Sequence, residues 1–451
     1  MQGKIFKQKY YKHIDKPVDI KKIEHKVKNK EYIKKHGFYP FLSYTIKFKK
    51  YSKEIDFETK HHWKIKPRPI KYASHIDRCI YQWYSYKLNN KYNEYCKKFN
   101  LNNSAIAYRT CLKGKTNIEF ASQAINFIKK CKECYILISD FTKFFEYIDH
   151  SLLKKNLCTV LNAKKLSEDF YKVFRSMTKY SFIERDDIEK YLIDKGVETK
   201  QSIKENICLF KNISWNKAKK DLKNNIQINN DTYGIPQGSP LSGIFANVYM
   251  IDFDRMATEY AQSKNGMYMR YSDDLIMIIP KSELNSISNL WKELSKIKML
   301  YKTLEMNIEK TSGYLYKDNK ITSLHKEISN MKDGGKFISY LGFSFDGKYV
   351  RFRDKTLTKF FYKLYRKIDN MIKTEKLRIE KGKKKRSKID KHWILKELNS
   401  KKENRKFIDY VNRAKRVFYN EKYITNFRQN IKKKVFVRFD KKLAIDVDDD
   451  I

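Results

Sequence analysis

The apolar positions of the chain recur with a helical period over several long stretches. Residues 80–99 carry aromatic and aliphatic side chains three or four positions apart, which is the spacing of one face of a helix. The same pattern predicts helices over about 117–130, 151–180, 241–260 and 282–303. With only 14 Gly and 7 Pro among 451 residues, we expect long helices joined by short connections to dominate.

Other segments have the pattern of β-strands. Residues 135–138 (YILI) form a compact apolar run, which predicts a buried strand. Residues 266–280 contain two apolar runs, MYMRY and LIMII, separated by the polar tripeptide SDD. Strand-forming runs on both sides of a short polar turn predict a hairpin. A further pair of strands is expected around 337–352.

Three stretches differ from the rest in composition. Residues 1–60 are rich in Lys and Tyr with weak periodicity, and we expect an N-terminal extension with short helices there. Residues 183–232 are polar and charged, with two or three short amphipathic pieces, which indicates an insertion. In 355–440, Lys and Arg outnumber Asp and Glu about threefold on a helical period, which predicts a basic helical binding face. Residues 446–450 form an acidic tail.

The overall charge indicates a polyanionic partner. Lys and Arg number 98 against 52 Asp and Glu, so the formal net charge is +46; nucleic acid is the first candidate partner and a membrane surface the second. No apolar run approaches the roughly 20 residues that cross a bilayer, and the N-terminal sequence has no secretory pattern. Seven cysteines, an odd number, argue for a reducing compartment. We therefore expect a cytoplasmic nucleic-acid-binding protein with no membrane partner.

Three aspartates lie where strands are predicted to end. Asp140 follows the run at 135–138, and Asp273 and Asp274 lie in the turn of the predicted hairpin. Surface turns often contain aspartates, but apolar runs on both sides favour a buried site here. Clustered carboxylates repel one another, and a divalent cation offsets that repulsion. If the strands pair, the three carboxylates suit Mg²⁺, with Mn²⁺ as an alternative, and two such ions about 4 Å apart would support phosphoryl transfer.

Seven sequence blocks resemble, in order, those of reverse transcriptases. YSDD at 271–274 resembles the palm motif, and SDFTKFFEYIDH at 139–150 resembles the motif of the first aspartate. GIPQGSPLS at 234–242 resembles the nucleotide-pocket motif between them. The remaining blocks are RPIKYASHIDR at 68–78, SAIAYR at 104–109, LEMNIEKT at 304–311 and YLGF at 340–343. So many blocks in the family's order are difficult to obtain by chance.

The resemblance implies an α+β right-hand polymerase fold, with fingers, an antiparallel-sheet palm and a basic α-helical thumb. The thumb would bind a template–primer duplex mainly through its phosphates. The expected parts are a basic extension at 1–60, fingers at 61–135, a palm at 136–350 with the insertion at about 183–232, and the thumb with the acidic tail at 351–451.

The resemblance also implies roles for individual residues. Asp140, Asp273 and Asp274 would be catalytic and would hold two Mg²⁺ ions, with the Phe141 carbonyl as a further ligand. The nucleotide pocket would contain Phe145 as a steric gate against the ribose 2′-hydroxyl, Gln237 along the nucleotide, and Arg68, Lys66 and Lys310 near the triphosphate. The alternatives are an ordinary core aromatic for Phe145 and an exposed lysine for Lys310.

Within that family, the chain is most similar to the bacterial defence-associated enzymes, including those related to abortive infection. The insertion after MTKYSF, the SP after GIPQG, and FIDYVNRAKRVF at 407–418 look like that group. The resemblance implies RNA-directed DNA synthesis from dNTPs during antiviral defence, a noncoding RNA as template or scaffold, and an RNA–DNA or DNA duplex as product. A second copy of the chain or a defence protein is a further expected partner.

Three alternatives stay open. The first is a template-independent or protein-primed DNA polymerase of the same family. The second is an RNA-dependent RNA polymerase, against which the bulky Phe145 and the Ser before the aspartate pair argue. The third is a non-catalytic RNA-binding scaffold, since charge and aromatic residues bind RNA without carboxylates. The intact set of three aspartates argues against a scaffold, because such a protein has no use for three repelling side chains.

Overall fold

The computed structural model describes residues 5–56, 61–112, 114–205, 208–382 and 402–444. Within these ranges it describes the side chains of all residues except 49–56, 61–64, 66, 375, 376, 379, 402–406 and 439–444. Helices and antiparallel sheets are both present. Every helix within the described ranges is too short or too polar to cross a lipid bilayer.

Helices and strands alternate irregularly along the chain. The described helices are α1 (Ile20–Lys28), α2 (Lys30–Lys35), α3 (His75–Lys98), α4 (Asn117–Cys131), α5 (His150–Leu161), α6 (Glu168–Thr178), α7 (Arg185–Asp194), α8 (Lys200–Glu205), α9 (Trp215–Asp221), α10 (Ser242–Tyr249), α11 (Ile251–Ser263), α12 (Ile287–Lys298), α13 (Asp354–Glu380), α14 (Lys402–Val417), α15 (Lys422–Thr425) and α16 (Phe427–Ala444). The described strands are β1 (Phe41–Asp56), β2 (His61–Tyr72), β3 (Cys134–Asp140), β4 (Ser181–Glu184), β5 (Gln227–Ile228), β6 (Met267–Tyr271), β7 (Asp274–Pro280), β8 (Ser312–Lys317), β9 (Lys320–Ser323), β10 (Ile338–Tyr340), β11 (Phe343–Phe345) and β12 (Val350–Phe352).

Five antiparallel strands in the order β6-β7-β3-β8-β9 form the central sheet. Tyr135 and Leu137 of β3 lie in one apolar core, while Cys134 and Ile136 lie in another on the opposite face. Both faces are therefore buried, which explains why β3 is a continuous apolar run and not an alternation of apolar and polar residues. The predicted strand at 135–138 and the predicted hairpin at 266–280 are confirmed.

Helices cover both faces of this sheet. The core around Leu137 includes residues of α3, α5, α6 and α10 to α12. The core around Ile136 includes residues of α4, the three-stranded sheet β10-β11-β12 and the C-terminal helices. A third, smaller core joins α7, α8 and α9 to Leu42 of β1. The insertion expected at 183–232 therefore packs around its own apolar centre.

A second sheet has the strand order β2-β1-β4-β5, in which β1 and β4 run parallel. The prediction of short helices near the N-terminus is correct for α1 and α2 but wrong for residues 41–56, which form β1. The alternation in YTIKF is a strand signal that the lysine-rich composition obscured. β1 pairs with β2 as a long antiparallel hairpin, so the boundary expected at residue 60 falls between two paired strands.

The predicted helix at 80–99 is confirmed as α3, but it begins earlier, at His75. Two polar side chains satisfy its first N–H groups. Ser74 accepts a hydrogen bond from the N–H of Asp77 at 3.1 Å, and Asp15 accepts one from the N–H of His75 at 2.9 Å. Because an N-cap side chain supplies acceptors that the first helical turn lacks, the helix starts at this point.

The other predicted elements are present with shifted ends. The helix expected at 241–260 is divided into α10 and α11 at Met250, and the one expected at 282–303 shortens to α12. The segment 337–352 forms three strands where two were predicted. The basic helical region is confirmed over α13 to α16, while the acidic tail at 446–450 lies outside the described residues.

Candidate active site

Asp140 and Asp274 are neighbours on adjacent strands of the central sheet. They are directly paired in the antiparallel register of β3 and β7, so their Cα atoms lie about 4.5–5.5 Å apart. Because side chains alternate along a strand, both belong to the face that carries Ile136 and Ile276. The fold therefore brings together two carboxylates that are far apart in the sequence.

Asp273 lies in the two-residue turn between β6 and β7. Its carbonyl accepts a hydrogen bond of 3.3 Å from the N–H of Phe141, the residue that follows β3. Ser272, the other residue of the turn, has a φ of +63°. The three aspartates and the Phe141 backbone are thus gathered at one end of the sheet.

The segment before β8 closes one side of this cluster. The N–H of Asn307 donates to the Asp140 carbonyl at 2.9 Å, and the N–H of Thr142 donates to the Glu305 carbonyl at 2.8 Å. The same segment carries Lys310, whose Nζ lies 2.8 Å from Oδ2 of Asp140. Lys310 therefore reaches the aspartate cluster and pairs with its first member.

One carboxylate of the cluster has a shifted pKa. The pKa of Asp274 is raised to about 6, chiefly by burial and then by the negative charges of Asp273 and Asp140, while Arg353 and Lys310 act in the opposite direction. Asp274 is nevertheless still exposed to solvent. A raised pKa is the expected consequence when like charges are held close together.

The donor atoms of this cluster suit a hard divalent cation. Oδ1 of Asp140 is buried, and it has no hydrogen-bond partner among the described residues. Carboxylate and carbonyl oxygens are the ligands that Mg²⁺ prefers. In the described structure, however, no three His, Cys, Asp or Glu side chains already surround one point as metal ligands. Mg²⁺ binding by all three carboxylates would therefore require their side chains to rearrange.

Phe145 lies beside the loop that carries Gln237. It belongs to the short 3-10 helix Phe144–Glu146, and its carbonyl accepts a hydrogen bond of 2.9 Å from the N–H of Ile235. Its half-buried ring packs edge-on against Phe144, with the centroids 5.5 Å apart. Phe145 is therefore fixed next to the loop that carries Gln237, and part of the residue is exposed.

Two glycines let the Gln237 loop pack tightly on its neighbours. A Cβ at Gly234 would lie 2.9 Å from the Glu146 carbonyl oxygen, and one at Gly238 would lie 2.6 Å from the Lys71 carbonyl oxygen. Gly238 also has a φ of +123°, which other residues rarely adopt. Between them, the Gln237 carbonyl accepts a hydrogen bond of 2.8 Å from the N–H of Lys71. The loop is thus fixed to β2 on one side and to the Phe145 turn on the other.

Two of the three basic residues expected at the triphosphate, Arg68 and Lys66, lie on β2. Arg68 is exposed, and its guanidinium lies 5.6 Å from the centre of the Phe48 ring. The structure gives no contact between the described atoms of Arg68 and the aspartates. The side chain of Lys66 lies outside the described residues. Because Lys71 of the same strand bonds to Gln237, β2 is nevertheless tied to the nucleotide-pocket loop.

Two buried polar features near the turn were not predicted from the sequence, one an ion pair and the other a tyrosine hydroxyl. Arg270 and Asp254 are fully buried and form an ion pair, with Nη2 and Oδ2 2.6 Å apart. An arginine inside the apolar run MYMRY is the signal that could have revealed it, since a buried charge requires a partner. The second is Tyr340, whose buried hydroxyl has no partner among the described residues. Its pKa is raised, first by burial and then by the charge of Asp274.

The matches to known proteins are to solved structures, at low similarity. No family model and no curated protein matches the chain. Telomerases are among the solved structures that are similar to it. They include apo telomerase from Candida tropicalis truncated from its C-terminal domain (12% identity, TM-score 0.37, 64% of this chain and 52% of that one), apo telomerase from Candida tropicalis (14%, 0.38, 70% and 48%) and telomerase from Candida albicans in complex with a TWJ fragment of telomeric RNA (12%, 0.39, 92% and 65%).

The chain spans between about half and two thirds of the length of these telomerases. Identities of 12–14% and TM-scores of 0.37–0.39 are too low to assign a function. The function has to be inferred from the residues of the site.

Proposed function

We propose that the protein is an RNA-directed DNA polymerase that adds dNTPs to a 3′-hydroxyl. The observation that carries this proposal is the cross-strand pair of Asp140 and Asp274, with Asp273 in the adjoining turn. Like charges directly opposite each other destabilise a sheet. Three carboxylates at one sheet end therefore need a compensating function, and the sequence blocks around them resemble those of reverse transcriptases.

The cation chemistry follows from the donor set. Asp140, Asp273, Asp274 and the Phe141 carbonyl would hold two Mg²⁺ ions, which when bound would lower the pKa of the attacking hydroxyl and neutralise charge on the departing pyrophosphate. Oδ1 of Asp140, buried and without a described partner, is available for this role.

The remaining residues would bind and select the nucleotide. The exposed part of the Phe145 ring would lie under the sugar and exclude a 2′-hydroxyl. Gln237, fixed by its backbone bond to Lys71, would lie along the nucleotide. Arg68 and Lys66 would bind the triphosphate, and Lys310 would move from Asp140 to the same phosphates once a cation replaces it as the partner of the carboxylate.

The proposed organisation is a right hand. The β1-β2 hairpin and α3 would form the fingers, the five-stranded sheet the palm, and α13 to α16 the thumb. Lysines and arginines on the thumb would bind a template–primer duplex through its phosphates, so affinity would fall steeply with salt. We further propose a noncoding RNA partner, a cytoplasmic location and a role in bacterial antiviral defence; these rest on the motif resemblance.

Primer extension tests the proposal. Purified protein is given an RNA template, an annealed primer and Mg²⁺ with either dNTPs or rNTPs, alongside a reaction without template. We expect template-dependent incorporation of dNTPs, which Asp273→Asn abolishes without weakening RNA binding. The matched control is Asp318→Asn, because Asp318 lies in another hairpin turn of the same sheet, between β8 and β9.

Each alternative has its own outcome in that experiment. Synthesis without template, or product attached to the protein, would indicate the template-independent or protein-primed enzyme. Preference for rNTPs would indicate an RNA polymerase. RNA binding with no incorporation by wild-type protein, or incorporation that survives Asp273→Asn, would contradict the proposed catalytic site.

A further inference from the structure

Arg270 occupies an unusual place for a charged residue. It lies on β6, an edge strand of the central sheet, shortly before the aspartate turn. The preceding residue, Met269, points into the core that contains Ile136. The Arg270 side chain is on the opposite face and has no exposed surface. Leaving a buried guanidinium without a partner would be costly, so its contacts must satisfy nearly all of its donors.

Most of the Arg270 donors are directed at α11 and α10. Nε donates to Oδ1 of Asp254 at 2.7 Å and Nη2 donates to Oδ2 at 2.6 Å, which makes a two-pronged ion pair. Nη2 also lies 3.3 Å from Oδ1 of Asn247. The Tyr268 hydroxyl donates to Oδ1 of Asp254 at 2.9 Å. The guanidinium is therefore held in one orientation by side chains of two helices.

The last contact joins this network to the aspartate turn. Nη1 of Arg270 donates to the backbone carbonyl of Ser272 at 2.7 Å. Ser272 has a φ of +63°, a conformation that is unfavourable for a residue with a side chain and persists only where its surroundings impose it. The hydroxyl of Tyr108 donates to Oγ of Ser272 at 3.2 Å, which adds a second restraint. Asp273 is the next residue along the turn.

The same network also holds the segment 104–107 against β6. The N–H of Arg270 donates to the Ser104 carbonyl at 2.7 Å, and the N–H of Ile106 donates to the Arg270 carbonyl at 3.1 Å. Nδ2 of Asn247 donates to the Ala107 carbonyl at 2.7 Å. Tyr108, which bonds to Ser272, follows directly. Arg270 thus connects the turn both to the helices that contact its guanidinium and to the segment 104–107 that pairs with its backbone.

We propose that Arg270 is a positioning residue for the aspartate cluster. By holding the Ser272 carbonyl while Asp254 fixes its guanidinium, it keeps the turn in its strained conformation and so sets where Asp273 and Asp274 present their carboxylates. The expected effect of Arg270 on dNTP incorporation rests on the proposed function. Its expected effect on the cation affinity of the aspartates does not require polymerase activity.

Arg270→Lys is the direct test. A lysine retains the charge that Asp254 requires, but a single ammonium group does not reproduce the fork that reaches both Asp254 and Ser272. We expect the affinity for Mn²⁺, titrated alone and followed by electron paramagnetic resonance, to fall about 10- to 100-fold. The kcat for dNTP incorporation should fall over a similar range, with little change in the KM for dNTP.

Ser272→Gly distinguishes positioning from a general loss of core packing. Glycine adopts a positive φ without the steric cost, so the turn would need Arg270 less. We expect Arg270→Lys with Ser272→Gly to regain Mn²⁺ affinity severalfold over Arg270→Lys alone. The control is Tyr268→Phe, which removes one hydrogen bond to Asp254 but leaves the Ser272 contact; it should lower the melting temperature and leave Mn²⁺ affinity unchanged.

Three results would overturn the inference. They are wild-type Mn²⁺ affinity in a folded Arg270→Lys variant, no gain from Ser272→Gly, and a loss of affinity in Tyr268→Phe as large as in Arg270→Lys. If Arg270→Lys does not fold, the neutral pair Arg270→Gln with Asp254→Asn removes both buried charges and carries the same expectations. A wild-type protein that incorporates no dNTP refutes the proposed polymerase, while the Mn²⁺ titrations still decide the role of Arg270.

Discussion

Lys310 lies 2.8 Å from Oδ2 of Asp140, so the first aspartate of the cluster has a protein counter-ion. The other oxygen of the same carboxylate is buried and has no partner among the described residues. Because a cation and an ammonium group both draw on the negative charge of one carboxylate, Lys310 is expected to weaken Mg²⁺ binding at Asp140. A lysine so placed would be released toward an incoming triphosphate when the cation binds.

The first prediction concerns this competition. Lys310→Gln should raise the Mn²⁺ affinity of the nucleotide-free protein by up to about fivefold, the range of a partly exposed ion pair. It should also slow dNTP incorporation, because a positive charge is lost near the triphosphate. Mn²⁺ titration and single-nucleotide incorporation measure the two effects. Lys302→Gln, an exposed lysine in the same connection, is the control and should change neither.

The second prediction concerns sugar selection. Phe145→Ala should admit ribonucleotides, lowering the preference for dNTP over rNTP by about 10- to 100-fold in kcat/KM. Phe145→Tyr keeps the ring and should keep the preference. Incorporation of each nucleotide opposite a defined template base measures it. An unchanged preference for dNTP over rNTP in Phe145→Ala would indicate that Phe145 is an ordinary core aromatic.

The elements that the sequence predicted best are those with a single dominant signal. The apolar run of β3 and the two runs around the SDD turn predicted a buried strand and a hairpin, and both are present. β1 was missed because the lysine-rich composition of the N-terminal segment obscured the alternation in YTIKF. The start of α3 was missed because one of its capping groups, Asp15, is distant in sequence.

The third prediction concerns the glycine against which β2 packs. Gly238→Ala should lower the free energy of unfolding by about 2–4 kcal/mol, the sum of a left-handed backbone and an overpacked contact with the Lys71 carbonyl. Gly196→Ala is the matched control: it has a φ of +66° but nothing within 4 Å of its Cβ, so it should cost only about 1 kcal/mol. Denaturant unfolding measures both. An equal loss of unfolding free energy in the two variants would show that the contact between Gly238 and β2 is not tight.

The fourth prediction concerns pH. His150 donates through Nε2 to the Gly234 carbonyl at 2.8 Å, and burial lowers its pKa, while Asp149 and Asp231 raise it and Lys179 lowers it. Its folded-state pKa therefore lies below the unfolded value, so its stabilising contribution is present above about pH 6.5 and is lost as pH falls. His150→Gln retains a donor and should reduce the loss of unfolding free energy between pH 8 and pH 5.5 measured in urea.

For the candidate site, the sequence predicted that three aspartates lie together and left their other contacts open. Asp140 and the Asp273–Asp274 pair were predicted to lie together, and the register of β3 and β7 brings them side by side. The pairing of Arg270 with Asp254 depends on how α11 packs against β6, and the contact of Lys310 with Asp140 depends on the path of the segment before β8. Tertiary packing decides both, and no local periodicity encodes it.

The most direct measurement locates Mn²⁺ in crystals of the protein by anomalous diffraction at the manganese edge. We predict anomalous density that contacts Asp140, Asp273 and Asp274 together, with Lys310 displaced from Asp140, and no such density in Asp273→Asn crystals. Well-ordered crystals in saturating Mn²⁺ with no density at these three carboxylates, or with Lys310 still bound to Asp140, would contradict the account.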